Sequence, residues 1–165
     1  MTPELPILPR TRSDAWETPP PLLARLREEF PFDLDAAASP ENAICDNFIT
    51  QEQDALVTPW DGSVVFCNPP YSKLPVFTAR ALDQSQAHQN TVVLLIPAYT
   101  DTKWWRDRCL PATEIRFLIG RLKFWEAGVA RDSARFPSAV VIYKTLHGLT
   151  TPSPHIRWWD WRIAP

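Results

Sequence analysis

The chain has 165 residues, of which 45% are hydrophobic, and this length predicts a single domain. The sequence shows no signal-peptide pattern and no apolar run near the ~20 residues of a membrane-spanning helix, which predicts a cytoplasmic protein. Its three cysteines and three histidines are scattered, which argues against a disulfide framework and predicts no metal site. The net charge is only −2, but residues 1–61 carry 12 acids and 4 bases whereas residues 62–165 carry 7 acids and 13 bases, and this asymmetry indicates a polyanionic partner.

The first predicted helix follows an extended arm. Prolines recur at every third position from Pro3 to Pro9, so residues 1–15 are predicted to be extended. Thr18 is predicted to cap a helix over residues 19–30, because prolines enter the first turn and apolar residues follow at helical spacing. Pro31 ends this helix.

Strands and helices alternate through the rest of the chain. Residues 32–38 are predicted to form a short strand that runs into a loop of small residues, and residues 63–67 a buried strand. The segment 91–96 is apolar throughout, which is typical of a central parallel strand. The remaining predictions are a helical turn over 51–56, helices over 75–86 and 102–108, strands over 114–119 and 138–143, and a mobile loop over 125–136. The tryptophan-rich tail, residues 151–165, is predicted to pack on the domain of residues 16–150 or on a partner chain.

This order of elements predicts an α/β protein with a mostly parallel central sheet and helices on both faces. In such sheets ligands bind beyond the carboxyl ends of the strands. Asp35, Asn68 and residues 97–100 each follow a predicted strand, so we expect them on one edge of the sheet. The stretch from Ala38 to Asn47 is short for a crossover helix, which predicts a trimmed first α/β unit.

The strongest functional motif is Asn68-Pro69-Pro70-Tyr71, at the end of a predicted strand. Asn68 has a side-chain carbonyl that can accept a hydrogen bond from an exocyclic amino group. The prolines stiffen the loop, so the Pro69 carbonyl is a second acceptor at a fixed place. Tyr71 has a ring that can stack on a planar base or amide. The motif predicts a holder for a planar –NH₂ group, although Asn-Pro is also a common turn signal.

An ordered set of segments resembles the phage-type (Dam-like) DNA N6-adenine methyltransferases, over about residues 16–144. The matching segments are residues 16–19, 32–38, 54–56, 65–72, 95–98, 100–102, 120–124 and 137–141, with Trp60, Trp104 and Trp105. The resemblance implies a Rossmann-like fold and S-adenosylmethionine-dependent methyl transfer to N6 of adenine in DNA, at GATC-like sites. It also implies an enzyme encoded by a phage or prophage that acts in a bacterial host cell.

The resemblance implies a cofactor site at the carboxyl ends of the first strands. Asp35 matches an acidic cofactor contact, where a carboxylate can accept hydrogen bonds from the ammonium of the methionine moiety. Asp54 matches a position near the adenine of the cofactor, and Asp46 is a candidate for the ribose hydroxyls. The other implied contacts are Trp16, Thr18, Pro19, Ala36 and Asn68. One departure is that alanines at 36–38 stand where many methyltransferases carry glycines.

The resemblance further implies that the target adenine is flipped out of a DNA duplex and held by the NPPY loop. The candidate DNA contacts are basic residues of the second half: Lys103, Arg121, Lys123, Arg131 and Arg135. We expect the loop over 125–136 to order on DNA and to contact phosphates. Both a monomer and a homodimer are compatible with the sequence.

Two alternatives remain open from the sequence. NPPY suits any planar amino or amide acceptor, so a methyltransferase acting on RNA or protein is the first alternative. A non-catalytic DNA-binding module is the alternative from another class, and the intact Asn68 and Tyr71 argue against it.

Overall fold

The computed structural model describes residue 14 and residues 16–145 and 153–163, so most of the predicted extended arm lies outside the described residues. The α-helices are α1 (Pro20–Arg27) and α2 (Leu74–His88). A 3-10 turn spans Tyr71–Lys73 and a π-helical turn spans Trp105–Cys109. The strands are β1 (Leu34–Asp35), β2 (Val64–Cys67), β3 (Thr91–Pro97), β4 (Glu114–Leu118), β5 (Lys123–Glu126), β6 (Val129–Ser133), β7 (Ser138–Lys144) and β8 (His155–Trp159).

Six strands form one mixed sheet, in the order β1-β2-β3-β7-β4-β8. The first three strands are parallel, with Asp35 opposite Phe66 and Cys67 opposite Leu94. The prediction of a mostly parallel sheet is wrong for the second half, because β7 runs antiparallel to both β3 and β4. Parallel neighbours need a long crossover, usually a helix. Between β4 and β7 the chain builds only a hairpin, so it returns antiparallel.

That hairpin corrects a second prediction, because residues 125–136 were expected to form a mobile loop. β5 and β6 pair antiparallel, and the turn between them contains Ala127 and Gly128, whose φ angles are +50° and +74°. Every residue of β6 is exposed, so the strand lacks the apolar alternation that marks a strand in a sequence. Trp125 also forms an isolated antiparallel bridge with Glu17, which ties the hairpin to the segment before α1.

The two α-helices cover opposite faces of the sheet. Leu22 and Leu26 of α1 are fully buried in one apolar cluster with Phe66 and Val93, whereas the buried residues of α2 pack in a second cluster with Val65. Adjacent residues of β2 point to opposite faces, as the period of a strand requires. Within the described part of the chain, no helix has the length and apolar character needed to cross a membrane.

Two local features differ from the prediction at the start of α1 and in the first crossover. The N-cap of α1 is Pro19, without a side-chain cap, so the prediction that Thr18 caps this helix is wrong. The Thr18 hydroxyl instead accepts a hydrogen bond from Asn68 Nδ2 at 3.3 Å. Residues 36–63, between β1 and β2, form turns and bends without a helix, in agreement with the predicted trimmed crossover.

The described tail residues lie at the far end of the sheet. β8 pairs parallel with β4, with Trp158 opposite Phe117. The rings of these two residues are 5.8 Å apart, and 71% of Trp158 remains exposed. This edge is distant in strand order from β1 and β2, whose carboxyl ends carry the candidate site.

Candidate active site

A cleft opens at the carboxyl ends of β1 and β2. It consists of two adjoining hollows of about 300 and about 850 Å³, sizes typical of small-molecule sites. Both hollows are lined by Trp16, Ala37, Glu41, Asn42 and Asn68. The cleft therefore collects residues from the segment before α1, from the turns after β1 and from the NPPY motif.

Asn68 is held at the boundary between the two hollows. Its Nδ2 donates to the Trp16 carbonyl oxygen at 2.7 Å and to Thr18 Oγ1 at 3.3 Å. Because a carbonyl oxygen can only accept, the contact with Trp16 fixes which end of the amide is nitrogen. The other end, Oδ1, is buried and has no hydrogen-bond partner within the described residues. A buried acceptor without a donor is destabilising, and such a group calls for an explanation. Because Asn68 lines both hollows, this unpaired acceptor belongs to the wall of the cleft.

The other residues of the NPPY motif lie around this amide in different surroundings. Pro69 is buried, and Pro70 lines the larger hollow in an extended conformation, with φ −60° and ψ 123°. The Pro70 carbonyl accepts from Lys73 N–H at 2.9 Å, which begins the 3-10 turn. The prolines thus direct the chain from β2 across the mouth of the cleft.

The Tyr71 ring packs against one aromatic residue of the hairpin and one that follows it. It lies edge-on to Phe124 and Phe136, at 5.8 and 5.5 Å between centroids. Burial raises the pKa of its phenol well above the usual range, and its hydroxyl has no partner within the described residues. Tyr71 does not line either hollow, so its predicted stacking on a base stays a prediction.

Asp35 ends β1 and lines the smaller hollow, with 3% of its surface exposed. Its carboxylate accepts from Ala37 N–H at 3.3 Å and from Ile44 N–H at 3.1 Å. Burial outweighs these two hydrogen bonds and raises the pKa of Asp35 to about 6. The two hydrogen bonds therefore compensate the buried negative charge only in part, which favours a cationic partner in the hollow.

Most of the cofactor contacts implied by the resemblance surround this cleft. Trp16, Thr18 and Asp35 line the smaller hollow, and Ala36 and Asp54 line the larger one. Asp54 also accepts from Leu56 N–H at 3.0 Å, in a turn where its own φ is +53°. Pro19 is buried beside Thr18 without lining the cleft. Asp46 is exposed and lies outside both hollows, so the structure does not bring it to the site.

The cleft also contains charged residues that the sequence did not single out: Glu17, Arg27 and Glu41. Arg27 belongs to the last turn of α1, a place where a basic residue ordinarily complements the helix dipole. Glu17 and Glu41 belong to irregular segments whose sequence gives no positional signal. Only the fold brings the end of α1 and the turns after β1 to one hollow.

The predicted DNA contacts are exposed but differ in their surroundings. Lys123 and Arg131 belong to the hairpin, Arg121 and Arg135 flank it, and Lys103 precedes the π-helical turn. Arg131 forms an ion pair with Glu126 on the same hairpin. The hairpin reaches the cleft through backbone hydrogen bonds of 2.8 and 3.1 Å between Glu17 and Trp125.

Arg116, in contrast, is not available to DNA although it belongs to the basic second half. It is 2% exposed and forms ion pairs with Glu29 at 2.6 Å and Glu114 at 2.8 Å. Its guanidinium also lies 5.5 Å from the Phe30 ring and 5.2 Å from the Trp159 ring. Its charge therefore joins the segment that follows α1 to β4 and β8 within the protein.

Comparisons with known proteins show which proteins the chain is similar to. The sequence model described as DNA N-6-adenine-methyltransferase (Dam) matches residues 7–156. The chain is similar to a DNA N-6-adenine-methyltransferase of Escherichia phage T1, with 38% identity over 81% of this chain and 63% of that protein. It is also similar to a protein of the same name from Haemophilus phage HP1 (strain HP1c1), with 36% identity over 82% of this chain and 81% of that protein. The chain thus spans less than two thirds of the length of the phage T1 relative.

Proposed function

The chain belongs to the DNA N-6-adenine-methyltransferase (Dam) family, and we propose that it transfers a methyl group from S-adenosylmethionine to the exocyclic N6 of adenine in DNA. The observation that carries this proposal is the amide of Asn68. Its nitrogen is anchored by Trp16 and Thr18, and its buried oxygen has no partner within the described residues. This is the arrangement needed to receive an N–H donor from a base.

The smaller hollow suits the amino-acid end of S-adenosylmethionine. The under-compensated Asp35 carboxylate offers an acceptor for an ammonium group, and Trp16 and Thr18 close the same hollow. The larger hollow, with Ala36 and Asp54, has room for the nucleoside. S-adenosylmethionine, when bound, supplies an already activated methyl group, so the protein mainly has to position the acceptor nitrogen in line.

Asn68 is the residue that prepares this nitrogen. Its Oδ1 accepts one N6–H, and the Pro69 carbonyl is a second acceptor for the other N6–H. The N6 lone pair is delocalised into the purine ring, and two acceptors favour a more tetrahedral and more nucleophilic nitrogen. The same acceptors stabilise the positive charge that develops during transfer. Tyr71 would stack on the adenine after it has left the duplex, a step that costs a few kcal/mol.

The mixed sheet, with three parallel strands and a cleft at the carboxyl ends of the first two, supports a Rossmann-like methyltransferase architecture as part of this proposal. The first α/β unit is trimmed, since turns replace a helix between β1 and β2. Beyond the cleft, the exposed Lys and Arg side chains of the hairpin are suited to contact DNA phosphates.

The decisive experiment is a methyl-transfer assay with labelled S-adenosylmethionine and unmethylated DNA, RNA or protein, followed by mapping of the modified positions by sequencing. We expect label in DNA, at N6 of adenine. Label only in RNA or protein would refute DNA as the substrate. Cofactor binding without any transfer would indicate a non-catalytic module instead.

DNA contact by the hairpin has its own test. The affinity for duplex DNA is measured against salt concentration for the wild type and for Lys123→Ala and Arg135→Ala. Each lost phosphate contact should lower the log–log slope by about 0.9. Lys144→Ala is the control. Lys144 ends β7 opposite Thr91, the first residue of β3, so it lies at the end of the sheet away from the cleft. Unchanged slopes for both hairpin variants would refute phosphate contact by the hairpin.

A further inference from the structure

Two side chains of opposite charge line the smaller hollow and are hydrogen-bonded to the same residue, Ile44. Arg27 donates from Nη2 to the Ile44 carbonyl oxygen. The Ile44 N–H donates to Asp35 Oδ2 at 3.1 Å. Arg27 and Asp35 are thus both hydrogen-bonded to the backbone of Ile44, and both line the same hollow of about 300 Å³.

The two groups do not neutralise each other or pair elsewhere in the described part of the chain. The ion pairs of the described residues involve other arginines, among them Arg25, which pairs with Glu28 on the same helix as Arg27. Asp35 receives only the two backbone N–H donors of Ala37 and Ile44. A cation and a buried anion thus face one hollow with part of their hydrogen-bonding capacity unused.

Arg27 is the one cationic side chain among the described residues that line the smaller hollow. Glu17 and Glu41 also line it, so three carboxylates stand against one guanidinium. Glu17 is engaged through Oε2 with Gly128 N–H at 3.3 Å. An ammonium group of a ligand can pair with any of three carboxylates, whereas a carboxylate of a ligand can form an ion pair with Arg27.

We infer that Arg27 and Asp35 together form a site for an α-amino-acid zwitterion. Arg27 donates to the α-carboxylate, and Asp35 accepts from the α-ammonium. The zwitterion carries its ammonium and its carboxylate on one carbon, which suits a hollow where a carboxylate and a guanidinium are both bonded to the backbone of one residue. This inference rests on the proposed function, because it assigns the methionine end of the donor to this hollow. It adds Arg27 to the residues that select the donor.

The test uses two ligands that differ in the amino-acid end. S-adenosylhomocysteine carries the zwitterion, and 5′-methylthioadenosine has the same nucleoside without it. Their affinities for the full chain are measured by isothermal titration calorimetry, together with the melting temperature of each variant. For Arg27→Met we expect the affinity for S-adenosylhomocysteine to fall about tenfold to hundredfold, the range for hydrogen bonds to charged groups. The affinity for 5′-methylthioadenosine should change less than about twofold.

The matched control is Arg25→Met, on the same helix and outside the cleft lining. It should leave the ratio of the two affinities unchanged. Arg27→Lys retains the charge with fewer donors, so it should recover part of the loss. An Arg27→Met variant that binds S-adenosylhomocysteine like the wild type, or that loses both ligands equally, overturns the inference and leaves the proposed function standing. A wild type that binds neither ligand refutes the proposed function itself.

Discussion

Replacing Asn68 by Ala separates the catalytic use of this amide from its structural one. The variant loses two neutral hydrogen bonds, at 2.7 Å to Trp16 and 3.3 Å to Thr18. At about 0.5–1.5 kcal/mol each, their loss should lower the free energy of unfolding by about 1–3 kcal/mol. The variant also loses the unpaired Oδ1. Removal of one preorganised hydrogen-bonding group that acts on the transition state costs about 2.7–4 kcal/mol, so methyl transfer should slow by about 10²–10³-fold.

Asn90 provides the matched control for this variant. Its Nδ2 also donates two hydrogen bonds, here to the backbone carbonyls of Trp60 at 2.7 Å and Gly62 at 2.9 Å. Its Oδ1 is likewise buried without a partner in the described chain. Asn90 directly precedes β3, at the edge of the sheet opposite to the cleft. Asn90→Ala should therefore show a similar loss of stability with near-normal transfer.

The assay is single-turnover transfer of labelled methyl groups to DNA, with denaturant unfolding of both variants to correct for the folded fraction. Affinity for S-adenosylhomocysteine is measured alongside, and we expect Asn68→Ala to retain most of it. If the two variants transfer methyl groups at similar corrected rates, the role of Asn68 in activating N6 is refuted.

Three further predictions concern charge and backbone conformation. Because burial raises the pKa of Asp35 to about 6 from 3.8, the native protein binds this proton more tightly than the unfolded chain, so the contribution of Asp35 to stability is lost as the pH rises from about 4 through 6. The free energy of unfolding, measured with denaturant, should fall by roughly 3 kcal/mol over this pH interval, and the affinity for S-adenosylhomocysteine should rise. If an Asp35→Asn variant shows the same two pH profiles as the wild type, the assignment of both effects to Asp35 is wrong. Ala127 has a φ of +50°, so Ala127→Gly should stabilise the hairpin by about 1 kcal/mol and raise the melting temperature, and an unchanged or lower value would argue against strain there. Arg116→Ala removes the buried guanidinium that pairs with Glu29 and Glu114, whereas Glu114 keeps its pair with Arg157, so the free energy of unfolding should fall by about 3 kcal/mol, the low end for a broken buried pair. Arg106→Ala breaks a fully exposed pair and should lower the free energy of unfolding far less, and equal losses in the two variants would refute a special role for the buried pair.

The fold was predictable where the apolar pattern is local and strong. The run over 91–96 is a central strand, and the spacing of Leu22 and Leu26 gives the buried face of α1. The direction of β7 was not predictable in this way. A buried strand shows the same continuous apolar run whether its neighbours are parallel or antiparallel, and the direction here follows from the hairpin between β4 and β7.

The hairpin itself escaped prediction because its exposed strand has no apolar alternation and its turn places an alanine at positive φ. The helix cap at Thr18 was predicted from a general preference, but the tertiary structure brings Asn68 within reach of the same hydroxyl. A side chain near a helix start has several possible partners, and only the packing of distant segments decides among them. Asp46 illustrates the reverse case, since its position in the sequence suggests the site and the turns place it outside the cleft.

The sequence by itself determined the chemistry of the motif and the family, and it predicted Asp35 and Asn68 as site residues, because these depend on residue types at short spacing. The tertiary structure alone decided that the Trp16 carbonyl orients the Asn68 amide, 52 positions further along the chain. It also decided that Arg27 faces the same hollow as Asp35 and that Arg116 is buried in an ion-pair network rather than exposed to DNA. Charge and hydrogen-bonding capacity belong to single residues, but their partners depend on how distant segments of the chain pack.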